Sequence, residues 1–275
     1  MTETIFITGA SSGIGKATAL YFQDKGWNVV ATLRDPAQAG DLAALPGVLV
    51  TRLDVTDSAS VTAAVDAAHA RFGAIDVLLN NAGYGAYGPL EAFDMDGIRR
   101  QFDTNVIGLL EVTKAVLPSM RARGKGMIVN ISSIGGRMTF PLGTLYHGTK
   151  FAVEGLSEAL HYELEPLGLR VKIVEPGMIA TDFGGRSFDF RQTSDLAAYQ
   201  PVVDKLLAVL GSPEMAATAS APRVVSEAIW EAVTDGTPRL RYTAGADAAA
   251  FMAARSLQDD ATFIGSVKAQ FGLGA

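Results

Sequence analysis

The chain contains no cysteine, which excludes disulfide staples, thiolate nucleophiles and Cys-ligated zinc or iron–sulfur centres. Histidine is nearly as scarce. Only His69, His147 and His161 occur in 275 residues, so a multi-histidine metal site would consume almost all of them, and no metal is expected. No apolar run reaches the ~18 residues a membrane helix needs, and no membrane partner is expected. Residues 1–3 pass straight into a strand-like stretch without the basic and apolar regions of an export signal, so the expected compartment is the cytoplasm. Positive charge is in deficit: 23 Lys+Arg stand against 29 Asp+Glu, a net charge of −6. Such a balance suits neither a nucleic-acid backbone nor an anionic lipid surface as the main partner. Apolar residues, by contrast, are plentiful, 48% against 19% charged, enough for the core of one large α/β domain.

Strand-like and helix-like segments alternate along the chain. Residues 4–8, 27–32, 48–53, 75–80, 127–131, 171–174 and 239–242 are short runs rich in apolar and β-branched side chains. Helical patterns cover residues 16–22, 57–72, 94–123, 146–165 and 226–233. The strands are continuously apolar, which predicts burial on both faces. The expected fold is a doubly wound, seven-stranded parallel sheet flanked by helices, in a single domain over residues 1–275.

The first chemical signal follows the first strand. Thr8-Gly9-Ala10-Ser11-Ser12-Gly13-Ile14-Gly15 joins that strand to a helix. Here Gly9 can make the tight turn, Gly13 lets backbone approach a pyrophosphate, and Gly15 permits close helix–strand packing. The free N–H groups of the helix then face negative charge. Ser11, Ser12 and Ile14 join the expected cofactor set, Ser12 as a further phosphate contact. An acidic residue at the end of the second strand would bind a ribose 2′-hydroxyl. Leu33 stands there instead and Arg34 follows, placed to pair with a 2′-phosphate through its planar fork. Asp35 is a competitor for that guanidinium. NADP(H) is therefore expected ahead of NAD(H).

A second signal lies near the fifth strand. Tyr146 and Lys150 are four apart and share one helix face, and Ser133 closes the strand at the end where open parallel sheets bind ligands. Reducing a carbonyl leaves an alkoxide that must be protonated. A tyrosine, with an ordinary pKa of about 10, serves better when a neighbouring ammonium favours its phenolate. Ser133 would hydrogen-bond the substrate oxygen beside it.

Taken in order, these motifs resemble the single-domain short-chain dehydrogenase/reductase family, nearest in motif to its hydroxysteroid and retinol dehydrogenase branch. The matching residues are Thr8–Gly15, Asp54-Val55, Asn80-Asn81-Ala82-Gly83, Asn105, Ser133, Tyr146-x-x-x-Lys150 and Pro176-Gly177 with Thr181. The resemblance implies catalysis by Tyr146, Lys150, Ser133 and Asn105, with Asn105 holding a water that links Lys150 to solvent. It implies a second role for Lys150 on the nicotinamide ribose, an adenine contact from Asp54 with Val55, and a cofactor wall from Asn81, Ala82 and Gly83. Pro176, Gly177, Ile179 and Thr181 would surround the nicotinamide, Ile179 and Thr181 holding its carboxamide. It further implies an apolar ketone, aldehyde or alcohol as the small-molecule substrate, and a homodimer or homotetramer.

Beyond the motifs, residues 183–222 are expected to form a substrate lid, mixing Phe183, Phe188, Phe190, Tyr199 and Leu206 with Gly184-Gly185. Residues 244–275 are expected to be a C-terminal extension that covers the pocket or meets another subunit. His147 is expected to be a bystander, and Tyr84 and Tyr87 to border the substrate or to form a plain loop. Tyr146 and Lys150 argue against a non-catalytic dinucleotide sensor. The absence of a Gly-x-x-Gly-x-x-Gly turn argues against a nucleotide-sugar epimerase. The remaining alternative is an NAD-dependent alcohol dehydrogenase of the same family working oxidatively.

Overall fold

The apolar run Thr4–Thr8 becomes β1, with every residue buried. The computed structural model describes residues 2–181, 187–192 and 194–274. After β1 come α1 (Gly13–Asp24), β2 (Asn28–Leu33), β3 (Val48–Arg52), α2 (Ser58–Phe72), β4 (Val77–Asn80) and β5 (Gly85–Tyr87). The chain continues through α3 (Met95–Phe102), α4 (Gly108–Arg123), β6 (Gly126–Ile131), α5 (Thr144–Leu164), β7 (Leu169–Pro176) and β8 (Phe188–Phe190). It closes with α6 (Gln200–Leu210), α7 (Pro213–Thr218), α8 (Pro222–Thr234), β9 (Arg241–Ala244), α9 (Ala246–Leu257) and α10 (Asp260–Gln270).

Seven strands form one parallel sheet in the order β3-β2-β1-β4-β6-β7-β9. Alternate strand residues face opposite layers. Ile5 and Ile7 pack with Phe22, Val225 and Ile229 on the α1/α8 side, while Phe6 packs with Val61, Val112 and Val116 on the α2/α4 side. Burial on both faces explains why the strands read as unbroken apolar runs. The strand order reverses between β1 and β4, and a crevice at that switch point, outside the carboxyl ends of the strands, is where such sheets bind ligands. On the α1/α8 side Phe22 lies 5.2 Å from both Trp27 and Trp230, ring centre to ring centre, and the two tryptophans lie 6.0 Å apart.

The helix expected over residues 94–123 is not continuous. A π-helical turn, Asp103–Ile107, separates α3 from α4. The last strand of the sheet starts two residues later than its apolar run, at Arg241. Two strands of three residues each were not foreseen: β5 and β8 pair in parallel as a separate ribbon, Gly85 opposite Phe188 and Tyr87 opposite Phe190. Phe183, Gly184 and Gly185 of the expected lid lie outside the described residues. No helix among the described residues is long and apolar enough to cross a membrane, and no group of His, Asp or Glu among them could hold a metal ion.

Candidate active site

The Gly-rich turn is fixed by what a side chain would strike. A Cβ on Gly15 would lie 2.3 Å from the Gly9 carbonyl oxygen, and Gly9 and Gly13 have φ of +74° and +55°. Helix α1 can thus start directly against β1. Asn81, at the end of β4, locks the turn: its Nδ2 donates to the carbonyls of Thr8 and Gly9 at 2.9 and 3.0 Å. The Ser12 side chain does not cap α1, and no acidic residue occupies its first turn, so the helix end stays electropositive. Thr181 arches over from beyond β7, its methyl 3.3 Å from where a Cβ on Gly13 would sit. This cradle fits a pyrophosphate.

At the end of β2, Arg34 is exposed and pairs with no carboxylate among the described residues. The competition expected from Asp35 does not occur. Asp35 instead caps a short 3-10 helix, accepting from the Ala37 amide at 3.0 Å and from Gln38 Nε2 at 3.2 Å. Leu33 is only 2% exposed and belongs to the α1/α8 core, so its side chain is turned away from any adenosine. Val55 is likewise buried, packed against Gly108. The Asp54 carboxylate accepts from the amide and hydroxyl of Thr56 at 3.0 and 2.8 Å.

Ser133, Tyr146 and Lys150 are brought together. Ser133 lies two residues past β6 in extended backbone, its Oγ accepting from the Gly135 amide at 3.0 Å, and its hydroxyl hydrogen-bonds the Tyr146 phenol. The neighbouring Ser132 hydroxyl is enclosed without a hydrogen-bond partner among the described residues. Burial pushes the Tyr146 phenol above its ordinary pKa, and the Ser133 hydrogen bond opposes the shift. Contrary to the expectation from the sequence, the Lys150 ammonium does not bring the phenol below its ordinary value. Its Nζ donates to the Ile131 carbonyl at 2.8 Å and sits 5.8 Å from the centre of the Tyr146 ring. Lys150 itself is drawn down to about 8 by burial, offset in part by the Glu154 carboxylate one turn along α5.

Asn105 lies inside the π-helical turn, 3% exposed, with its side chain committed to protein. Its Oδ1 accepts from the Tyr84 amide at 3.0 Å, and its Nδ2 donates to the Tyr84 carbonyl and to Thr149 Oγ1 at 2.8 and 3.1 Å. Thr149 in turn donates to the Tyr146 carbonyl at 2.7 Å. Gly83 is packed against the same side chain, and the Ala82 amide donates to Thr8 Oγ1 at 3.0 Å.

The space beside Tyr146 is walled by aromatics. Tyr87 lies 5.5 Å from Tyr146 and 5.2 Å from Phe188, and Phe190 follows at 5.8 Å, ring centre to ring centre. Phe140, Leu142, Phe190, Phe251 and Met252 pack on a cluster that includes Ile134, Met138 and Leu206. The C-terminal helices therefore sit against the segment that follows Ser133. Two participants escaped sequence reasoning. Asp247, in the first turn of α9, accepts from the Met178 amide at 2.6 Å, and its carboxylate fills the space a Cβ on Gly177 would need. Glu154 takes Arg241 Nε at 2.9 Å behind Lys150; its only signal was the spacing of four from Lys150.

Comparison with known proteins matches this arrangement. The sequence model of the short chain dehydrogenase family covers residues 3–192. An uncharacterized oxidoreductase of Schizosaccharomyces pombe is 45% identical over 88% of this chain and 100% of its own length. A 3-ketodihydrosphingosine reductase of Bacteroides thetaiotaomicron is 43% identical over 70% and 69%, and retinol dehydrogenase 8 of Bos taurus is 36% identical over 72% and 66%. Among solved structures, a short-chain dehydrogenase of Streptomyces avermitilis superposes with a TM-score of 0.83 at 34% identity, over 93% of this chain and 92% of that one. ElxO with NADP bound gives 0.72 at 27%, over 88% and 98%. A Burkholderia phymatum enzyme in complex with NAD gives 0.78 at 25%, over 93% and 92%.

Proposed function

The chain belongs to the short-chain dehydrogenase family, and within that family of NAD(P)-dependent oxidoreductases we propose that it interconverts an apolar ketone or aldehyde with its alcohol using NADP(H). The observation that carries this reading is the Ser133–Tyr146 hydrogen bond at the carboxyl end of β6, with Lys150 one turn further along α5. The nicotinamide, when bound, supplies or accepts the hydride. Ser133 and Tyr146 present two hydroxyls to one substrate oxygen, and Tyr146 delivers or removes the proton. A phenol held above its ordinary pKa is protonated at neutral pH, which suits reduction. Lys150 keeps a positive charge next to that phenol and binds ribose. The Asn105 side chain is spent on Tyr84 and Thr149, which leaves a relay water to the main chain of the widened turn.

Arg34, exposed and free of Asp35, supports NADP(H), and the aromatic wall supports an apolar substrate. Residues on β8 and α6 cover it as a lid. Ile107, Phe151 and Tyr162, exposed on or beside α4 and α5, would form the face of a homo-oligomer. Turnover of aldehydes, ketones, steroids and secondary alcohols with each cofactor, followed by reduced-nicotinamide absorbance, tests the reading. NADPH-dependent reduction of bulky apolar carbonyls is expected. Preferential NAD-linked oxidation would replace the reading with the oxidative alternative, and no turnover of any of them would overturn it.

A further inference from the structure

His147 follows Tyr146 on α5, its ring 5.5 Å from the Tyr146 ring, and its two nitrogens reach the loop that leaves β6. It is 3% exposed, and burial holds its pKa down to about 4, so the ring is neutral. Its Nδ1 lies 2.9 Å from the Gly135 carbonyl oxygen, which can only accept, and its Nε2 accepts from the Phe140 amide at 3.0 Å. These two contacts fix one tautomer, with the proton on Nδ1. Two glycines are shaped around the ring: a Cβ on Gly135 would lie 2.7 Å from Nδ1, and one on Gly143 would lie 2.5 Å from Nε2. The segment so held is the one that builds the substrate wall. The Phe140 ring lies edge-on to Phe251 at 5.4 Å and tilted against Phe271 at 6.3 Å, ring centre to ring centre. Leu142 is the one non-glycine residue with positive φ among the described residues, at 60°, and its carbonyl accepts from the Gly88 amide at 2.8 Å. A leucine in that conformation persists only where its surroundings hold it.

We propose that His147 is a positioning residue that pins the segment from Gly135 to Gly143 against the catalytic helix and so sets the wall met by bulky substrates. The proposal rests on the carbonyl-reduction reading. Its function is to shape the pocket, not to transfer a proton: both ring nitrogens are already engaged, and Tyr146 and Ser133 occupy the reacting position.

Three variants test it: His147→Phe keeps the ring packing and removes both hydrogen bonds, His147→Gln returns an acceptor to the Phe140 amide, and His147→Ala checks the result without a ring. Two readouts are taken on the full chain, amide hydrogen exchange at Phe140 and NADPH-dependent kinetics with benzylacetone as the bulky ketone and acetone as the small one. Losing the acceptor should speed exchange at Phe140 and raise KM for benzylacetone by about tenfold each, with kcat, KM for acetone and Kd for NADPH within about threefold. His147→Gln should recover most of both effects. Unchanged exchange in His147→Phe overturns the proposal, as does faster exchange with an unaltered KM for benzylacetone. A loss confined to kcat would make His147 part of the chemistry and also overturn it. If the wild type reduces neither ketone, the reading of the reaction fails, and exchange at Phe140 still decides whether the imidazole holds the segment.

Discussion

At Tyr146 the proposed chemistry rests on a single hydroxyl. Tyr146→Phe keeps the ring beside Tyr87 and removes the transferable proton. Turnover should fall by about 10²–10⁴ while NADPH binding stays near wild type, measured by kcat and by a fluorescence titration. Retention of a tenth or more of wild-type kcat would take Tyr146 out of its role. At the adenosine end, the specificity test belongs at Arg34 and not at Leu33. A carboxylate introduced at Leu33 would enter the core, where it would destabilise the fold and report nothing about the cofactor. Arg34→Ala should instead lower the NADPH to NADH ratio of kcat/KM by about tenfold, the low end for an exposed charge-assisted contact. An unchanged ratio would assign the preference elsewhere. Much at this scale was legible in advance, because a spacing of four on a helix and a serine at a strand end are both written in the sequence. The direction of the phenol's pKa was not. It depends on how deeply the ring is enclosed and on where the Lys150 ammonium comes to rest, and both are set by packing across the sheet.

Among the elements, the least legible were the shortest. Three residues in β5 and three in β8 are too few to show periodicity, and their pairing joins positions about a hundred residues apart. The π-helical turn was hidden for the opposite reason. It inserts into a long helical pattern, and no glycine or proline lies within its five residues. The C-terminal extension was expected to cover the pocket or to meet another subunit, and the structure packs it on Ile134, Met138 and Phe140. Its reach to the cofactor end was not foreseen, since Asp247 has no motif around it. Ser220 strengthens that link, pairing through its backbone with Met178 and Ala180. Asp247→Ala should therefore weaken NADPH binding by about tenfold, whereas Asp247→Asn, which retains an oxygen for the Met178 amide, should stay within about threefold. Equal Kd values in all three proteins would confine Asp247 to tethering α9.

Taken whole, the molecule follows from two regularities: unbroken apolar strands, which dictate helices on both faces, and a glycine turn after the first of them. The order of the strands was not readable from local pattern, because it is decided by which helix covers which face. One consequence of enclosing His147 concerns the entire fold. Its pKa of about 4 in the native state lies below the ordinary value of 6.5, so the folded chain favours the neutral ring. The associated stability is fully present above pH 6.5 and is lost as pH falls toward 4, on the order of 3 kcal/mol in total. Urea denaturation at pH 7 and pH 4 should show that loss in the wild type and not in His147→Phe, with other acid-sensitive groups cancelling between the two proteins. Matching acid losses in both would mean that the ring titrates freely.

The aromatic cluster at the back of the sheet gives the molecule an optical asymmetry. Trp27 and Trp230 are the only tryptophans in the chain, and both sit where α1 and α8 meet. Ultraviolet emission therefore originates from one place, beside the helix whose first turn carries the glycine cradle. The substrate end, built from phenylalanine and tyrosine, is nearly dark by comparison. A melting curve followed by tryptophan emission reports the release of α1 and α8 from the sheet, and one followed by circular dichroism reports all the helices. If the two coincide, the C-terminal helices and the glycine cradle belong to one cooperative unit. If dichroism falls first, the substrate end opens while the dinucleotide half remains closed.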